Sequence, residues 1–120
     1  MSTKKILIVD DDSDIIVSMK RVLESAGHIV ETAKNEKDCM DLFFKFKPQI
    51  IFMDMMMENM DSGLTLCRNI REKDRKVAIY MLSSAGDEYA GTLDMHEVGF
   101  NSSISKPLSP ERLLEIVDEL

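Results

Sequence analysis

The apolar residues of this chain change period again and again, from unbroken β-branched runs to helical spacing and back. The order of those changes limits the fold more than any other feature. Residues 6–9 read ILIV, a short run with no polar member, which suits a strand buried on both faces. Ile15, Ile16, Met19, Val22, Leu23 and Ala26 then recur at helical spacing, and Gly27 stands where such a helix stops. HIVETA (28–33) alternates and reads as an edge strand. Cys39, Leu42, Phe43 and Phe46 form a second helical stripe closed by Pro48. QIIFM (49–53) and VAIYML (77–82) are further strands, separated by a helix carrying Leu64, Cys67 and Ile70 and ending in the charged REKDRK (71–76). Residues 87–98 are expected to be helical, on a weak stripe. Residues 100–105 should form a short polar fifth strand. Ser109 should cap a last helix with Pro110 at its first position and Leu113, Ile116, Val117 and Leu120 inside. Regular β-α alternation implies a parallel sheet with right-handed crossovers and helices on both faces.

With 120 residues and 44% apolar content, the expectation is a single domain, 1–120, with a core that needs no covalent staples. Cys39 and Cys67 both fall in helical apolar patterns and read as core residues, which suggests a reducing compartment. The net charge of -7, with no basic stripe, argues against direct nucleic-acid binding by this domain. No apolar run approaches the ~20 residues of a membrane span. The N-terminal MSTKKILIVDDD is not a signal peptide, so a cytoplasmic location is expected.

In open sheets of this kind ligands bind beyond the carboxyl ends of the strands. The first strand ends in Asp10, Asp11 and Asp12, the third in Asp54, the fourth in Ser83 and Ser84, and the fifth in Lys106 followed by Pro107. If the first strand lies beside the third, these groups meet in one cleft. Carboxylates so gathered repel one another, and a divalent cation with a taste for oxygen, Mg²⁺, would relieve the repulsion. The inventory fits phosphoryl transfer to a carboxylate, with Asp54 as nucleophile and Lys106 offsetting the charge of the transferred group.

These pieces resemble the receiver domain of two-component response regulators: paired acids after ILIV, a lone acid after IIFM, a hydroxyl after IYML, and SKP, in order and over essentially the whole chain. The resemblance implies a flavodoxin-like α/β fold, a five-stranded parallel sheet in the order 2-1-3-4-5 with helices on both faces. It implies that Asp10 and Asp11 hold Mg²⁺ with Asp54 and the Met56 backbone carbonyl. Asp54 would accept the phosphoryl group, Ser83 would be the switch hydroxyl, and Lys106 would contact the phosphoryl oxygens. The donor would be a histidine kinase or a histidine phosphotransfer protein, and the product would alter binding to a downstream protein. The Lys106–Pro107 bond is commonly cis in that family. The chain departs from the family at Glu58, where proline is usual, at Ser62, which reads as an insertion in MDSG, and at Ser103, where Tyr or Phe is usual.

Each residue also has a plain structural reading. Asp12 or Ser13 can be a helix cap and Asp14 a first-turn charge. Met55, Met56, Met57 and Met60 are expected to pack rather than ligate, because thioethers suit soft metals. His28 and His96 have no paired ligand in sequence and are taken as structural or exposed. Two alternatives to a phosphoacceptor switch, itself not an enzyme, stand beside it. One is a receiver-like interaction module whose switching is altered by Ser103. The other is a phosphatase of the haloacid-dehalogenase type, with Asp10 as nucleophile and Asp12 as acid/base.

Overall fold

The structure, a computed structural model, describes residues 3–55, 57, 62–83 and 95–120, leaving out the side chains of residues 95 and 96. Strands and helices alternate: β1 (Lys5–Val9), α1 (Ser13–Ser25), β2 (Ile29–Ala33), α2 (Glu36–Phe46), β3 (Ile50–Asp54), α3 (Ser62–Lys73), β4 (Ala78–Ser83), α4 (Met95–Val98), β5 (Ser102–Ser105) and α5 (Pro110–Asp118). All strand pairs are parallel, in the order β2-β1-β3-β4-β5. The flavodoxin-like sheet order expected from the sequence is therefore the one adopted, with the alternating HIVETA run on an edge.

Successive strand residues point to opposite faces, and two cores follow from that. Leu7, Val9, Ile51, Met53, Ile79 and Met81 pack with Cys39, Phe43, Leu66, Cys67 and Ile70 of α2 and α3. Ile6, Ile8, Ile50, Phe52, Leu82 and Ile104 pack with Ile16, Met19 and Leu23 of α1 and with Leu113, Ile116 and Val117 of α5. Burial raises both thiols, to about 12 at Cys39 and about 11 at Cys67, so they stay protonated at neutral pH and behave as small apolar groups.

Local chemistry sets the element ends. Asp12 caps α1, its carboxylate accepting the Asp14 N–H; Asn35 caps α2 and Ser109 caps α5, with Pro110 in the first turn. Gly27 takes the positive φ of 94° after α1. Two expectations need correcting. Leu120 is 45% exposed, because α5 stops at Asp118 and the last residue falls beyond the final turn. Phe100 is buried but precedes β5, which begins at Ser102. Of the helix expected over 87–98, only 95–98 falls among the described residues, and it is helical.

One tertiary contact had no sequence signal. Arg71, in the charged end of α3, donates from Nε to the Gly99 carbonyl (2.8 Å), from one terminal nitrogen to the Val77 carbonyl (2.6 Å), and from the other to Asn101 Oδ1 (3.1 Å). It joins the amino ends of β4 and β5 to α3. None of the described helices is long and apolar enough to cross a membrane.

Candidate functional site: an acid and lysine cluster at the carboxyl edge

The pleat decides which side chains meet. Ile6 and Ile8 pair with Ile50 and Phe52, so two residues further on Asp10 comes abreast of Asp54. Ile104 lies on the same face of the sheet, and Lys106, two residues later, continues that row. Asp10, Asp54 and Lys106 are thus in phase, and each follows a row of buried apolar side chains on the α1–α5 side.

The distances bear this out. The Lys106 ammonium lies 2.8 Å from Asp10 Oδ2 and 3.4 Å from Asp54 Oδ1. Asp10 is fully buried and Asp54 nearly so, whereas Asp11 is exposed on the rim. Oxygens of Asp10, Asp11 and Asp54 all fall within 4.8 Å of one another. Asp10 Oδ1 accepts the Asp12 N–H at 2.9 Å, which turns its carboxylate toward the cleft. Among the described residues no donor but the Lys106 ammonium reaches Oδ2. A buried anionic oxygen with a single cationic neighbour, flanked by two further carboxylates, is a donor set suited to a hard divalent cation.

Burial pulls the pKa of Lys106 down, but the hydrogen bond to Asp10 and the charges of Asp54 and Asp10 outweigh it, so the amine stays above its ordinary value and is an ammonium at neutral pH. The backbone holds it there. Its N–H donates to the Ser83 carbonyl at 2.8 Å, and the bond to Pro107 is cis.

Ser83 is buried at the end of β4, beside Ser105. Its side chain continues the Ile79 and Met81 row, the opposite phase to Asp54; the contact that ties it to the cleft is its carbonyl, through Lys106. Met55 is fully buried and Met57 packs against the same core, as expected of packing residues. Met56, Glu58, Met60 and Ser84 lie outside the described residues, as does the His96 side chain. His28 is buried: its Nδ1 accepts the Lys4 N–H at 3.1 Å, and burial lowers its pKa. Asp12, the acid/base of the phosphatase alternative, has Oδ1 occupied by the Asp14 N–H as a helix cap.

Two features escaped the sequence reading. Ser62, the residue read as an insertion in MDSG, is fully buried and opens α3. Gly63 follows it, donating its N–H to the Met55 carbonyl at 2.8 Å, and a Cβ there would sit 2.6 Å from the Asp54 carbonyl oxygen. The first turn of α3 therefore rests directly on the backbone that carries Asp54. The signal was the glycine of MDSG, legible only once α3 was known to touch β3.

The profile of the response regulator receiver domain matches residues 6–118. The chain is 31% identical over 110 residues to the alkaline phosphatase synthesis transcriptional regulatory protein PhoP of Bacillus subtilis, covering 92% of this chain and 45% of that one. It is 32% identical over 110 residues to the response regulator MprA of Mycolicibacterium vanbaalenii, covering 92% and 47%. It thus spans less than half the length of these curated relatives. Among solved structures it superposes on the chemotaxis response regulator CheY4 of Vibrio cholerae (TM-score 0.86, 26% identity, 98% of each chain) and on the receiver domain of NtrX from Brucella abortus (0.85, 26%, 95% of each).

Proposed function

Because the chain belongs to the response regulator receiver domain family, we propose that residues 1–120 are a phosphoacceptor signalling domain in which Asp54 takes a phosphoryl group from a histidine kinase or a histidine phosphotransfer protein. The observation that carries this reading is the Lys106 ammonium held between Asp10 and Asp54, with three carboxylates close enough to share one cation.

An Asp54 carboxylate oxygen attacks phosphorus, the bond from phosphorus to the donor imidazole nitrogen breaks, and that nitrogen keeps the electron pair. Asp10, Asp11, Asp54 and the Met56 backbone carbonyl are the residues that would hold Mg²⁺. Bound there, Mg²⁺ supplies positive charge to the phosphoryl oxygens and to the carboxylates at once. Lys106 turns its ammonium from Asp10 and Asp54 to a phosphoryl oxygen, an exchange that needs no proton transfer because the amine is already charged. The Ser83 hydroxyl, whose row faces away from Asp54, is assigned to turn across the end of β4, hydrogen-bond the new phosphoryl group and so couple it to β4. A downstream protein then reads the change, in the cytoplasm and without direct nucleic-acid contact by this acidic domain.

Incubation with Mg²⁺ and acetyl phosphate should add one phosphoryl group by mass, and Asp54→Asn should accept none. A phosphoryl group retained by that variant would refute the assignment.

A further inference from the structure

The acid cleft has a second cation on its rim. Lys34 directly follows β2, and its ammonium donates to Ser13 Oγ at 2.7 Å. Both ends of that contact adjoin the acid run. Ser13 follows Asp12, and Ala33, the residue before Lys34, accepts the Asp10 N–H through its carbonyl at 3.1 Å. A side chain that would ordinarily sweep through solvent is thus fastened to the first residue of α1. Among the described residues its partner is a hydroxyl and not a carboxylate, so its charge is not cancelled by contact. Through Ser13 and Ala33 it is attached beside the acid run Asp10, Asp11 and Asp12, and Ser13 itself precedes Asp14 in the chain.

We propose that Lys34 is a rim cation that tunes this site for its two divalent visitors: it favours entry of a dianionic phosphodonor and holds Mg²⁺ affinity down. This rests on the phosphoacceptor reading above. Lys34 touches none of the reacting atoms; it acts through its field. The anchoring on Ser13 is what fixes the position of that charge. Opposite signs for the two visitors follow from Coulomb's law alone, and a merely structural lysine would not produce them.

The test uses the whole chain with Lys34→Met, Lys34→Glu and Lys34→Arg. Mg²⁺ is titrated by NMR of the Asp10, Asp11 and Asp54 amides, and initial phosphorylation rates are taken with dianionic acetyl phosphate and less charged phosphoramidate at saturating Mg²⁺. For a screened surface charge acting on a divalent ion, Lys34→Met should bind Mg²⁺ about twofold tighter and react about twofold more slowly with acetyl phosphate at low salt. The rate loss should be smaller with phosphoramidate. Lys34→Glu should enlarge both effects, Lys34→Arg should restore the wild-type values, and high salt should merge all of them. Unchanged Mg²⁺ affinity, or an equal rate loss with both donors at every salt concentration, would overturn the proposal. Failure of the wild type to take phosphate on Asp54 would instead sink the underlying reading; the Mg²⁺ titration judges Lys34 in either case.

Discussion

Replacing Lys106 with methionine keeps the apolar stem and removes the charge, and the structure says what that should cost. Among the described residues the ammonium is the one cation at Asp10 Oδ2, on a side chain with no solvent exposure, and it also faces Asp54. Removing one partner of a fully buried ion pair costs about 3–5 kcal/mol. Lys106 itself is 14% exposed and the cleft opens to water, which reduces the expected loss to about 2–3 kcal/mol. The sign with pH is fixed. The folded-state pKa of Lys106 lies above its unfolded value, so its contribution is complete below about 10.5 and disappears only as pH rises past the folded value. Urea unfolding at neutral pH without divalent ions therefore reads the whole effect, as a shift in midpoint at constant slope. Mg²⁺ supplies the missing positive charge and no longer competes with an ammonium. The variant should consequently gain more stability from a given Mg²⁺ concentration than the wild type, through tighter binding to the folded state. Asp10→Asn placed on the Lys106→Met background should recover most of the loss, since the uncompensated charge is then gone. A loss below about 0.5 kcal/mol, the range of ordinary surface changes, would refute this account of the cleft. So would Mg²⁺ increments equal in both proteins.

Two further outcomes are expected. Burial, then the charge of Lys4, lowers the pKa of His28 against a smaller opposing effect of Asp118, so the folded state prefers the neutral ring. Stability is then full above the unfolded value of about 6.5 and falls as pH drops below it; His28→Gln should flatten that slope in urea titrations, and an unaltered slope would contradict it. Gly63→Ala, in an unobstructed helix, would stabilise by about 0.5–1 kcal/mol. Here the added carbon would meet the Asp54 carbonyl at 2.6 Å, so a loss of about 1–3 kcal/mol and slower phosphorylation by acetyl phosphate are expected. A stabilised, equally reactive variant would remove Gly63 from the support of the acceptor.

What could be read from the sequence is what depends on neighbours along the chain. Alternating periods gave the β-α order, and caps such as Asp12 and Ser109 act within three residues of themselves. Asp54 and Lys106 were legible because each ends a strand, and strand ends share one edge in a parallel sheet. Arg71 was not legible: its acceptors at Val77, Gly99 and Asn101 come from two strand approaches, and nothing in REKDRK separates a clasp from solvated charge. Lys34 was missed for the same reason, its partner lying across the β1–β2 edge. The burial of His28 was not legible either, since the partner of its Nδ1 is the Lys4 N–H, far away in sequence.

The phase of the pleat accounts for how a stable domain tolerates so acidic an edge. Asp10 and Asp54 extend the rows Ile6–Ile8 and Ile50–Phe52 by one more step, so each acid sits on a buried apolar column that fixes its position whatever its charge state. The favourable energy of the fold lies in those columns and in the helices covering them. The repulsion lies only in the last step, where Lys106 moderates it and where a cation or a phosphoryl group can alter it. A change of charge at that step is felt first by Lys106, which contacts both acids. The Lys106 N–H to Ser83 carbonyl bond makes β4 part of any movement of Lys106.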